Sequence, residues 1–103
     1  MIKVYMSTIC IDCRNLLAVV KARNIAQHFN FINITENTDN LKEFLALRDH
    51  NDAFAAKRSN SEDTRIGIPA FINEAGQIAF EADEAFAWIG EPPVRDEEIV
   101  EWN

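Results

Sequence analysis

Apolar positions dominate Ile2 to Met6, interrupted only by Lys3, and Ser7-Thr8 closes the run, which predicts a short buried strand. The period then changes. Cys13, Leu16, Leu17 and Val20 recur at the i, i+3, i+4, i+7 spacing of one helical face. A helix is expected from near Cys10 to about Arg23-Asn24, with Ser7 or Thr8 as its cap. Phe29 to Ile34 reads as a second strand with Phe29, Phe31 and Ile32 inward, and a strand–helix–strand unit of this length favours a parallel pair. Thr38 or Asn37 starts a second helix carrying Leu41, Phe44, Leu45 and Arg48.

The pattern weakens between Asp49 and Arg65, where Ala53-Phe54-Ala55-Ala56 predicts a short helical turn and Ser59 to Thr64 a loop. Ile66 to Asn73, a turn at Glu74-Ala75-Gly76 and Gln77 to Phe80 then form a hairpin. Pro69 sits at the start of its first strand, where a missing N–H is tolerated. A last helix from about Asp83 to Ile89 turns Ala85, Phe86 and Ile89 inward, and Gly90 with Pro92-Pro93 ends it. The chain therefore divides into a body, residues 1–90, and an acidic tail, residues 91–103. The tail carries Ile99, Val100 and Trp102 and is expected to pack on the body, cover a sheet edge or join a partner.

Composition narrows the function classes. A chain of 103 residues with 48% hydrophobic content makes one globular domain. Its net charge of -7, with no basic run longer than Lys57-Arg58, argues against nucleic acid. No apolar stretch reaches the roughly 18–20 residues of a membrane span, and the N-terminus lacks a signal-peptide pattern, so no membrane is expected and a cytoplasmic location is. In that compartment the only two cysteines are read as catalytic or metal-binding before they are read as a structural bridge.

Those cysteines form Cys10-Ile11-Asp12-Cys13 at the strand-to-helix junction. By spacing, Cys13 faces the core while Cys10, in the first turn, reaches water at the positive end of the helix. The pair is thus a candidate dithiol with Cys10 as nucleophile and Cys13 as resolving thiol. Asp12 is a candidate tuning residue. A carboxylate about 6 Å from the sulfur disfavours a thiolate by roughly 0.7–3 kcal/mol, against roughly 0.3–2 kcal/mol from the helix terminus. The expectation is that Asp12 makes the dithiol more reducing than neutral intervening residues would.

The order of elements, together with Val4-Tyr5-Met6-Ser7-Thr8-Ile9-Cys10-Ile11-Asp12-Cys13 and Gly67-Ile68-Pro69-Ala70-Phe71-Ile72, resembles the glutaredoxin-like branch of the thioredoxin fold over roughly residues 1–90. The resemblance implies an α/β fold, β-α-β-α-β-β-α, with a four-stranded mixed sheet flanked by about three helices. It also implies thiol–disulfide oxidoreductase activity on protein or glutathione mixed disulfides. Pro69 would follow a cis peptide bond beside the dithiol, and the Ile68 backbone, with Thr8 nearby, would hold the incoming mixed disulfide. Arg14 and Arg65 are candidates for a glutathione carboxylate or for a counter-charge to the thiolate. No tightly bound cofactor and no metal are implied; glutathione is a co-substrate candidate, and a reductase or dithiol protein the electron donor. The chain departs from the family at Ser7, where a lysine is common, at Ile11-Asp12 in place of Pro-Tyr, and at Ala79-Phe80 in place of a double glycine. The net negative charge disfavours anionic substrates unless Arg14 and Arg65 create a local positive patch, which slightly favours a protein over free glutathione as partner.

Two other classes use the same cysteines. Thiolates from two copies would hold a shared metal or iron–sulfur centre. A redox-sensing interaction module would show partner binding that depends on oxidation, with negligible turnover. His28 and His50, the only histidines, stand at no zinc-finger spacing.

Overall fold

The computed structural model describes residues 1–54 and 66–102. Four strands, β1 (Ile2–Met6), β2 (Phe29–Asn33), β3 (Ala70–Ile72) and β4 (Ile78–Ala79), form one mixed sheet in the order β2-β1-β3-β4. β1 runs parallel to β2, with Val4 opposite Phe31, and antiparallel to β3, with Val4 opposite Phe71. β4 pairs antiparallel with β3 across the turn that follows Asn73. There the Asn73 Oδ1 accepts the N–H groups of Ala75 at 3.1 Å and Gln77 at 2.9 Å, and Gly76 supplies a φ of 85° that a side chain would resist. Three helices complete the domain: α1 (Ile11–Arg23), α2 (Thr38–His50) and α3 (Ala82–Trp88). The domain is thus α/β with a mixed four-stranded sheet and three helices among the described residues.

Alternation along β1 sorts the core into two layers. Ile2, Val4 and Met6 join Cys13, Leu16, Val19 and Val20 of α1 and Ala85 and Phe86 of α3. Tyr5, on the opposite face, joins Ile34, Phe44 of α2, Phe54 and Ala70. Phe44, Phe54, Phe71 and Phe86 are fully buried, as aromatic residues at core spacing should be. Burial beneath Phe44, with Glu43 beside its hydroxyl, pushes the Tyr5 phenol up to about 12.

The helix caps and faces depart from expectation in instructive ways. Asn37, one of the two candidates, caps α2 by accepting the Asn40 N–H at 2.8 Å. Cys10 itself, and not Ser7 or Thr8, is the cap of α1. Leu17 is only half-buried, while Asn15 and Val19 join the covered arc, because the C-terminal segment packs along that flank. Phe31 and Ile32 are half-buried because β2 is an edge strand. The helical turn expected at residues 53–56 is seen as a short 3-10 turn over Asp52–Phe54. Ala55, Ala56, Lys57, Arg58 and the loop expected at Ser59–Thr64 lie outside the described residues. No described helix is long and apolar enough to cross a membrane.

The acidic tail packs back on the body. Arg23, at the end of α1, gathers it: Nη2 meets Glu98 Oε1 at 2.6 Å, Nη1 donates to the Pro92 carbonyl at 2.7 Å, and Nη2 donates to the Pro93 carbonyl at 2.9 Å. The guanidinium lies 5.2 Å from the Phe86 ring centroid, a cation–π contact that joins tail, α1 and α3. Arg23 holds the Glu98 carboxyl down to about 2, helped by the Arg95 main-chain N–H. A depressed folded value contributes stability that is fully present above 4.5 and lost as pH falls toward about 2. The melting temperature of the parent should therefore exceed that of Glu98→Gln above pH 4.5, with the gap closing between 4.5 and about 2. A gap that does not vary with pH across that window would contradict the assignment.

Candidate active site

β1 leads into α1 through one tight turn. The Ser7 carbonyl accepts the Cys10 N–H at 3.2 Å; the Ser7 hydroxyl, fully buried, accepts the Ile9 N–H at 3.2 Å and pairs with Thr35 Oγ1 at 2.8 Å. With its hydroxyl spent inside the turn, Ser7 is removed from capping. Cys10 takes that place in extended backbone, φ -94° and ψ 127°, and its Sγ accepts the Cys13 N–H at 3.4 Å. A side chain in that position faces the unpaired N–H groups of the first helical turn, where helices meet anionic groups.

The two sulfurs differ sharply in surroundings. Cys10 is half-exposed and Cys13 has no exposed surface, and neither is bonded to another sulfur. Burial, first of all, pushes the Cys13 thiol up to about 12. The Ser7 main-chain N–H works the other way, and Cys10 and Asp12 add to the rise. Cys13 is therefore held as a neutral thiol near neutral pH.

A cavity of about 320 Å³ opens beside the first turn of α1. Asp12 and Leu16 line one side, and Ile68 and Pro69 another. The Ile68–Pro69 peptide bond is cis, the geometry expected from the resemblance. Ile68 and Cys10 both pack on the core cluster that contains Cys13, so dithiol helix and proline turn meet around one apolar centre. Asp12, Ile68 and Pro69 are thus brought together on this cavity, whose lining includes neither cysteine. Thr8 is exposed, and its carbonyl accepts Arg14 Nη1 at 3.0 Å. Arg65 lies outside the described residues.

Arg14 faces the tail. Its Nε and Nη2 bind Glu101 at 2.6 and 3.0 Å in a two-pronged pair, which raises the arginine above its ordinary value and lowers the glutamate. In this arrangement its guanidinium links the turn before Cys10 to residue 101, and its charge is shared with a carboxylate. Two residues absent from the sequence reading matter here. Asn15 Oδ1 accepts the N–H groups of Val100 at 3.1 Å and Glu101 at 2.9 Å, while its Nδ2 donates to the Glu101 carbonyl at 2.8 Å. A polar residue two positions after Cys13, next to the apolar stripe, was the available signal, because a covered amide needs partners. Glu101 carried no such signal among the other tail acids.

Comparison with family models, with curated proteins and with solved structures finds no match for this chain. Among the described residues no group of three or more His, Cys, Asp or Glu side chains converges in a metal-holding geometry.

The difference between the sulfurs has a direct chemical readout. Iodoacetamide at about pH 8 should modify one cysteine of the native chain, Cys10, and the second only after denaturation. Equal labelling of both in the folded protein would contradict the burial of Cys13.

Proposed function

We propose that this chain is a thiol–disulfide oxidoreductase of the glutaredoxin-like kind, built on a thioredoxin-like arrangement. One observation carries the reading: a half-exposed sulfur caps the helix, and the next sulfur, one turn deeper, is fully buried. The first is placed to meet a substrate, the second to meet only the first. The cavity shared by Asp12, Ile68 and Pro69 supports it by leaving space at Asp12, the residue before Cys13.

The steps follow from these positions. The Cys10 thiolate attacks one sulfur of a substrate disulfide along the line of the S–S bond. A Cys10–substrate disulfide forms, and the other half leaves as a thiolate that takes a proton from water. The mixed disulfide lies along Ile68-Pro69. Cys13 gives up its proton and attacks the Cys10 sulfur, closing Cys10–Cys13 and releasing the second substrate thiol. Two electrons and two protons pass to the substrate. Glutathione or a dithiol protein, itself restored by a reductase, returns the pair to the reduced state. The cytosol, where such reductants keep thiols reduced, is the proposed setting.

The raised Cys13 pKa has a consequence for rate. Closure of the intramolecular disulfide should accelerate as pH rises toward about 12, because the attacking species is the thiolate. Reduction of a small disulfide, coupled to glutathione and glutathione reductase or to thioredoxin reductase, tests the roles. Cys10→Ser should fall to the background rate, and Cys13→Ser should accumulate a stable mixed disulfide visible by mass. Parent-like turnover by Cys10→Ser would refute the nucleophile assignment. A purified chain that carries iron or zinc and reduces no disulfide would refute the reading as a whole.

A further inference from the structure

The cavity beside the dithiol has a chemical character that the reaction steps leave unused. One part of its wall is apolar: Leu16 and Val19 from α1, and Val94 and Ile99 from the C-terminal segment. Asp83, whose Oδ1 accepts the Val94 N–H, lines it too, and so do the exposed carboxylates of Asp12 and Glu81, from α1 and from the residue preceding α3. Neither is paired with a cation among the described residues, and no described Lys or Arg lines the cavity. The nearby cation, Arg14, is held by Glu101.

The outer wall is fixed in place. Asn15 bonds both Val100 and Glu101, and Asp83 Oδ1 accepts the Val94 N–H at 2.8 Å. The space is therefore formed before a ligand arrives, which lowers the ordering cost of filling it. What fits is a side chain with a long hydrocarbon stem and a cationic end. The stem lies along Leu16, Val19, Val94 and Ile99, and the charge stands at the two carboxylates. Glutathione, whose two ends are carboxylates, is the poorer occupant by the same charge argument.

We propose that this cavity is a subsite for a lysine or arginine side chain next to the half-cystine of a protein substrate, with Asp12 and Glu81 facing its charge. The proposal rests on the oxidoreductase reading and adds the substrate class to it. The redox balance is unchanged: the protein dithiol becomes a disulfide and the peptide disulfide becomes two thiols, with no other reductant needed for one turnover.

Single-turnover rates of the pre-reduced full chain test it, with short peptide dimers joined through one cysteine as oxidants. The residue after the cysteine is lysine, norleucine or glutamate. At low salt the lysine dimer should react roughly tenfold faster than the glutamate dimer, and added salt should compress that ratio. The ratio cancels the intrinsic reactivity of Cys10, which every dimer shares. Glu81→Gln should lower the ratio severalfold; the Glu81 side chain makes no helix-cap bond, so the variant retains the local fold. Glu74→Gln, in the turn at the far end of the sheet and paired with the N-terminus, controls for the net charge of the chain and should leave the ratio as in the parent. Equal rates for all three dimers, or an equal loss of the ratio in Glu74→Gln and Glu81→Gln, would overturn the subsite while leaving the dithiol chemistry standing. A pre-reduced parent that reduces none of the dimers would overturn the oxidoreductase reading beneath it.

Discussion

One constraint organises the molecule: the first turn of α1 must hold one sulfur at the surface and its neighbour, three residues on, inside the core. Helical geometry supplies the relation, since residues i and i+3 lie on adjacent turns of one face. The Ser7 turn supplies the placement. With the Ser7 hydroxyl committed to Ile9 and Thr35, the chain enters the helix at Cys10, and the cap is a sulfur. Burial then makes the inner thiol a poor acid, held protonated near neutral pH.

The same helix is the anchor of the tail. Arg14 and Asn15 hold residues 100 and 101 beside the turn at Cys10, while Arg23 holds Glu91 and Glu98 at the other end. Side chains from one helix therefore set both the dithiol and the outer wall of the cavity beside it. This coupling gives the C-terminal segment a role in the site that its acidic composition alone does not suggest. It also leaves Arg14 engaged with a carboxylate, so the charge landscape around the first turn is more acidic than a count of nearby arginines implies.

Much of the fold was legible in the pattern. The short apolar run of β1 and the i, i+3, i+4, i+7 stripe of α1 marked the elements because β1 and three of the four stripe residues, Cys13, Leu16 and Val20, lie against the core. Asn37 and Gly90 marked helix ends because caps have few chemical solutions. The misread cap at Cys10 has a specific cause. Ser7 looked available until the fold brought Thr35 beside it, a contact across 28 residues that no local rule contains. The cavity walls were illegible for the same reason, since Val94, Ile99 and Glu81 meet α1 only through the tail and the hairpin. The dithiol was legible because its spacing is local, and the partners of Arg14 were not.

The central claim is that Cys10 and Cys13 form one reversible redox couple in the folded chain. Equilibrating the protein across a series of dithiothreitol redox buffers, trapping free thiols and weighing the products by mass spectrometry measures it directly. The account predicts a single two-electron transition between a dithiol and an intramolecular disulfide, with far-ultraviolet circular dichroism unchanged throughout. A chain that stays fully reduced at every potential, or that oxidises only by linking two copies, would contradict it.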